Sequence, residues 1–272
     1  MSHKFEEQPH NAITDSKIAR VIPCKELDLG DPLKWIRLGL RDMLKAPHIT
    51  ALFGLLFALV PWLIYYLVVQ TGWHLVILPA LVCFMLIGPF LAAGLYDVSW
   101  ELEKNHVPSI WHSIKAITRN AVNEWAFGIL LMVLMIFWLR VAALIHALYP
   151  PYLDDNFENL LPFLAVGTIV GAGFTLLVFF ISAFTQPILM ERKVDLATAV
   201  MTSMNAVWVN KKVMLIWGGF IFACVAFGFV VGITLDYILG FGSFLFTMPL
   251  IGYASWHAYI DTIETKRGRK FE

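Results

Sequence analysis

The run ITALFGLLFALVPWLIYYLVV, residues 49–69, contains no charged side chain. A helix of about 20 mostly apolar residues is long enough to cross the hydrocarbon core of a bilayer. Strands are a poor alternative, because barrel segments alternate apolar and polar residues over about ten positions, and this run does not. Five further runs of the same character follow, at about 75–98, 125–148, 160–187, 213–235 and 238–259. The sequence therefore predicts an all-α polytopic membrane protein with six transmembrane helices arranged as three hairpins.

The composition supports a membrane protein and excludes several other classes. Of the 272 residues, 59% are hydrophobic and 15% are charged, whereas about 25% are charged in soluble domains. Twenty Lys and Arg balance 20 Asp and Glu, and this net charge of zero argues against nucleic acid as a partner. We expect membrane lipids as partners, and a second copy of the chain or another membrane protein remains an open alternative.

The basic residues predict the orientation of the spans. Nineteen of the 20 Lys and Arg fall before span 1, between spans 2 and 3, between spans 4 and 5, or after span 6. The three alternate loops contain none. Because Lys and Arg are retained on the cytoplasmic side, both termini are predicted to be cytoplasmic.

Three repeat units are predicted, each with a short amphipathic helix followed by two spans. A proline interrupts the second span of each unit, at Pro89, Pro187 and Pro249. The predicted organisation is a polar N-terminal segment at 1–31, a six-span membrane domain at 32–262 and a basic tail at 263–272. The units within the membrane domain are about 32–107, 108–193 and 194–262.

The short amphipathic helices are predicted to lie at the membrane surface. In the first, basic residues at spacing i, i+3, i+7 form one stripe, and Leu33, Ile36, Leu40 and Leu44 form the opposite face. A basic stripe suits an anionic cytoplasmic leaflet, at about 1 kcal/mol per Lys or Arg near the surface. The third helix is neutral, so we expect it to pack against protein. The candidate lipid-facing stripe comprises Lys34, Arg37, Arg41, His112, Lys115 and Arg119.

The sequence Ile22-Pro23 followed by Asp31-Pro32-Leu33-Lys34-Trp35-Ile36-Arg37-Leu38-Gly39-Leu40-Arg41-Asp42 and six spans resembles the DUF2189 family of predicted prokaryotic integral membrane proteins, over about 20–262. The resemblance implies a protein of the bacterial cytoplasmic (inner) membrane. Some members carry a cytochrome c oxidase label. That activity needs several histidines inside spans, but only His146 and His257 lie near spans, at opposite membrane faces. A catalytic oxidase subunit is therefore excluded.

One candidate polar site lies within the membrane. Arg140 is the single basic residue inside a predicted span, and Asp236 ends span 5 at a compatible depth. Charged residues inside membranes commonly face the bundle interior or a cavity, although Arg140 could also snorkel outward or form a static pair. The acidic residues Asp97, Glu101 and Glu103, and the pair His257 and Asp261, are interpreted as solvated helix-end polarity.

No catalytic constellation, cofactor-binding motif or metal-ligand set is predicted from the sequence. We expect a non-enzymatic membrane protein that acts as a scaffold or in envelope organisation. A small transporter using Arg140 and an accessory subunit of a respiratory complex are the alternatives.

Overall fold

The computed structural model describes residues 21–72, 77–117, 120–148, 157–234 and 241–263. Within these ranges the chain forms helices and no strand. The helices are α1 (Asp31–Lys45), α2 (Pro47–Thr71), α3 (Ile77–Glu103), α4 (Ile110–Ile117), α5 (Ala121–Ala147), α6 (Phe157–Ser182), α7 (Thr185–Glu191), α8 (Leu196–Val209), α9 (Lys211–Thr234) and α10 (Phe244–Thr262).

Four helical segments of the described chain are long and apolar enough to cross a membrane. At most 22% of the residues in any of their most apolar windows are buried inside the protein. Apolar side chains that point outward from long helices are stable in hydrocarbon but not in water. The segments are Pro47–Gln70, Ala121–Ala147, Leu161–Glu191 and Lys211–Val231. The all-helical membrane fold predicted from the sequence is thus confirmed.

The core is built by three helix segments that are buried without interruption. They span residues 93–101 of α3, 184–190 including α7, and 252–260 of α10. A helix that is buried on every side is surrounded by other helices. Each segment belongs to the second half of one predicted repeat unit, and the two in α3 and α10 follow the prolines Pro89 and Pro249.

The first and last helices pack closely along each other, and α2 packs against the same helix α10. Two glycines allow this approach. A Cβ atom at Gly39 would lie 3.0 Å from the Ala254 nitrogen, and one at Gly54 would lie 2.1 Å from the Leu245 carbonyl oxygen. Small residues at helix contacts are the usual way for membrane helices to gain close packing.

The predicted fourth span, 160–187, is split into α6 and α7. Pro187 has no backbone N–H, so the carbonyl of Ala183 loses its helical donor. At the break, Ser203 of α8 bridges two other backbone groups, because its Oγ accepts a hydrogen bond from the Phe184 nitrogen at 3.1 Å and donates to the Phe180 carbonyl at 2.9 Å. The third short helix therefore packs against protein, as the sequence predicts.

Residues 21–30, part of the predicted polar N-terminal segment, lie along α8 and against the C-terminal end of α10. The Ile22 nitrogen donates to Thr202 Oγ1 at 3.1 Å, and the Lys25 nitrogen donates to the Thr262 carbonyl at 2.8 Å. The Asn210 side chain completes the contact by accepting from the Leu27 nitrogen at 2.9 Å and donating to the Lys25 carbonyl at 2.9 Å.

The faces of α1 differ from the sequence-based assignment. Trp35, Gly39 and Asp42 form its buried face, because these residues make the contact with α10. The predicted apolar residues Leu33, Leu40 and Leu44 are 54%, 45% and 82% exposed, and Lys34, Arg37 and Arg41 are exposed on the same side. Basic and apolar residues therefore share one exposed surface and do not lie on opposite faces.

Gly54→Ala is expected to lower the free energy of unfolding by about 1–3 kcal/mol, the usual cost of overpacking. The added methyl group would meet the Leu245 carbonyl, a backbone atom that cannot rotate away. Gly219→Ala is the matched control, since nothing lies within 4 Å of a Cβ there and alanine favours helix. Denaturant titration in mixed micelles measures both variants, and equal stability would show that α2 does not approach α10 this closely.

Asp195 caps the N-terminus of α8, where its Oδ2 accepts from the Thr198 nitrogen at 3.0 Å. Asp195→Ala should cost about 1 kcal/mol, whereas Asp195→Asn preserves a cap. Hydrogen bonds from the Thr198 hydroxyl and backbone lower the pKa of Asp195. This stabilisation is therefore present above the ordinary aspartate pKa of about 3.9 and is lost as the pH falls through the lowered value. Melting curves across acid pH should show this loss in the native protein and not in the Asn variant.

Candidate functional site

A buried polar cluster joins α1, α3 and α10. Ser99 Oγ donates to Asp42 Oδ2 at 2.8 Å, and His257 Nε2 lies 2.8 Å from the same oxygen. Asp42, Ser99 and His257 are 5%, 0% and 5% exposed. Because a carboxylate oxygen only accepts, Nε2 of His257 carries the proton in this contact. The other ring nitrogen, Nδ1, lies 3.6 Å from Glu103 Oε1.

The register between α1 and α10 explains how these groups meet. Trp35, Gly39 and Asp42 recur at spacings of four and three, which places them on one helix face. Trp35 Nε1 and Lys34 Nζ each donate to Asp261 Oδ2 at 2.9 Å. His257 and Asp261 thus bind different partners on α1. The interpretation of His257 as solvated helix-end polarity is wrong, because packing against α1 buries it, and it is wrong also for Asp97 and Glu101, which are 1% and 7% exposed.

A second group, the carboxylate–histidine cluster, lies where α3 approaches α4 and comprises Asp97, Glu101, His106 and His112. His112 Nδ1 lies 2.9 Å from Asp97 Oδ2, and its Nε2 lies 4.0 Å from Glu101 Oε1. His106 Nδ1 lies 3.0 Å from Glu101 Oε2, and Lys104 Nζ lies 3.3 Å from Glu101 Oε1.

Opposing influences act on Glu101, which lies beyond the apolar part of α3. Burial alone would raise the pKa of Glu101. Hydrogen bonds from His106 and Lys104, with the nearby charge of His112, bring the pKa of this carboxyl below its usual value. Glu101 is therefore held as a carboxylate near neutral pH, which keeps its oxygens available as acceptors or ligands.

The predicted lipid-facing stripe is distributed over different environments. Arg37, Arg41 and Lys115 are exposed. Lys34 forms an ion pair with Asp261, and its side chain remains 49% exposed. His112 turns toward α3 and contacts Asp97, so it does not continue a lipid-facing stripe. Arg119 lies outside the described residues.

The predicted intramembrane pair stays a prediction, because Asp236 lies outside the described residues. Arg140 lies on α5 with an exposed side chain, and an exposed arginine within a span is compatible with the snorkelling alternative.

Several buried polar residues were not identified from the sequence. Asp42 lies seven residues after Trp35 and therefore on the same helical face. That spacing could have indicated that Asp42 is buried. Glu124 and Gln186 are 0% and 3% exposed, and among the described residues no hydrogen bond reaches the carboxylate of Glu124 or the amide of Gln186. No sequence pattern indicates their burial, because it depends on how α5 and α7 pack.

The family model of DUF2189, a predicted integral membrane protein, matches residues 77–191. Over these residues the chain is similar to the DUF2189 family. The predicted resemblance to this family is thus confirmed, although the match is shorter than the expected 20–262 and begins after the motif in residues 22–42. The DUF2189 segment runs from α3 to α7 and contains the carboxylate–histidine cluster. No curated protein and no solved structure matches the chain.

Asp42→Ala should lower the free energy of unfolding by about 3 kcal/mol, because it leaves the buried Ser99 hydroxyl and His257 Nε2 without the carboxylate that accepts their hydrogen bonds. Ser99→Ala removes a single hydrogen bond and should cost about 1 kcal/mol. Arg41→Ala, at the exposed neighbouring position, is the control and should change little. Denaturant titration measures all three, and a loss in Asp42→Ala no greater than in Arg41→Ala would refute the buried cluster.

Proposed function

We propose that the protein is a six-span protein of the bacterial cytoplasmic membrane with both termini in the cytosol. The four apolar helical segments support this topology, and α3 and α10, with 27 and 19 residues, supply the second members of the first and third hairpins. At about 1.5 Å per residue, the helix α3 is about 40 Å long and α10 about 28 Å. The short helices α1, α4 and α8 each precede a long helix, in agreement with three repeat units.

We propose further that the protein acts without catalysis, as a membrane scaffold that holds anionic lipid of the cytoplasmic leaflet. The exposed surface of α1 carries this proposal. Leu44 is 82% exposed beside the basic residues Arg41 and Lys45. A surface with both properties matches a headgroup layer, where leucine reaches the acyl chains and arginine reaches phosphate.

The second short helix provides the same combination. Trp111 is 76% exposed, and Ile110 and Ile114 are 41% and 48% exposed. Lys115 follows on the same short helix. Trp is the residue most typical of the membrane interface, so α4 supports a second lipid contact. Since α1 and α4 both pack against α3, the two surfaces are held by one helix.

The transporter alternative receives less support from the geometry. It depends on Arg140 as an interior group, and the Arg140 side chain is exposed on α5. Service as an accessory subunit of a respiratory complex would require a protein partner on one of the exposed surfaces.

The lipid proposal is tested by reconstituting the protein in nanodiscs of phosphatidylcholine with and without phosphatidylglycerol. Phosphatidylglycerol should raise the melting temperature of the native protein, and high salt should weaken this shift by screening. Arg37→Gln/Arg41→Gln should lose most of the shift. Arg37→Lys/Arg41→Lys is the matched control, since it keeps both positive charges on α1, and it should retain most of the shift.

Two results would contradict the proposal. One is a phosphatidylglycerol shift of the same size in the native protein and in Arg37→Gln/Arg41→Gln. The other is the absence of any shift in the native protein while its fold is intact.

A further inference from the structure

The carboxylate–histidine cluster contains a set of donor atoms that the lipid contact does not use. We propose that Asp97, Glu101 and His112 bind one divalent transition-metal ion, with Zn²⁺ as the best chemical match. The site would join α3, which supplies both carboxylates, to α4, which supplies the imidazole.

The geometry is close to that of a metal site. Each of the three residues offers one ligand atom, and these atoms all lie within 4.8 Å of one another. Zinc bonds of about 2.0–2.2 Å place tetrahedral ligands about 3.3–3.6 Å apart. Closing the set therefore requires shifts of about 1 Å. His112 can make them, because its side chain is 39% exposed on a helix of eight residues.

Charge supplies an independent reason for a cation. The Asp97 side chain is 1% exposed, and within the described residues its ion-pair partner is His112 alone. Its Oδ1 atom is buried and receives no hydrogen bond from that part of the chain. A buried carboxylate oxygen without a donor is costly. A metal ion would neutralise the carboxylate that the protein leaves incompletely satisfied.

The donor set favours a particular class of metal. One imidazole nitrogen with two carboxylate oxygens suits zinc and similar first-row divalent ions, whereas Mg²⁺ and Ca²⁺ prefer oxygen ligands alone. The ligating imidazole nitrogen must be unprotonated, so the ring proton of His112 would lie on the other nitrogen. Three protein ligands leave a fourth position for water.

His106 and Lys104 support the site without belonging to the ligand set. His106 contacts Glu101 Oε2 at 3.0 Å, and such a contact fixes the orientation of a ligating carboxylate. Lys104 contacts Oε1 at 3.3 Å and would move away when the metal binds there.

The test uses the full-length protein in detergent, freed of metal by chelator and of any histidine tag. Titration with Zn²⁺ against a competing indicator should show one ion per chain. His112→Ala and Glu101→Gln should each weaken binding at least about tenfold. His146→Ala is the matched control, because it removes an exposed histidine from the far end of α5, and it should bind as the native protein does.

Two further readouts separate a metal site from a structural ion pair. Zn²⁺ should raise the melting temperature of the native protein and not of His112→Ala, and Co²⁺ should give visible absorption bands that His112→Ala lacks. Asp97→Asn tests the third ligand, and if it fails to fold, the His112→Ala and Glu101→Gln variants decide. Unchanged binding in His112→Ala, or no stoichiometric ion in the folded native protein, would overturn the proposal.

Discussion

Hydrocarbon is the solvent that the long helices require, because their apolar side chains face outward. Ile169 and Phe222 are each 71% exposed, and Phe137 is 59% exposed. In water, surface of this kind costs about 25 cal/mol per Å². Within a bilayer that cost disappears, and with it the hydrophobic force between helices. Association must then come from close contact, as at Gly54 against Leu245 and at Gly228 against Phe244.

Polar groups are collected where helices are surrounded by other helices. The uninterrupted burial of 252–260 places α10 at the centre of this core, and α1 contacts it through Asp42 and Trp35. In hydrocarbon, a polar group must find its partner inside the protein. The contacts of Asp42 with Ser99 and His257 provide such partners, and they also hold α1 against α3 and α10. The other side of α1 exposes leucine and arginine together.

Composition and apolar run length predicted the helical class, because a bilayer sets the required length independently of tertiary packing. The sequence also predicted that α8 packs against protein, since it lacks the basic residues of α1. Two features depended on neighbours in space and were not predictable. At the break after Ser182, the Phe184 nitrogen donates a hydrogen bond to Ser203 of another helix. His112 of α4 contacts Asp97 of α3 where the two helices pack together. The faces of α1 were misassigned because Arg37 lies among the leucines, and only the contact with α10 shows which side is buried.

The topology of the chain in its membrane tests this account most directly. Green fluorescent protein and alkaline phosphatase would be fused separately after Asp155 and after Glu272, since the first fluoresces in the cytosol and the second is active in the periplasm. The account predicts fluorescence after Glu272 and phosphatase activity after Asp155. Phosphatase activity after Glu272, or both positions reporting the same compartment, would contradict it.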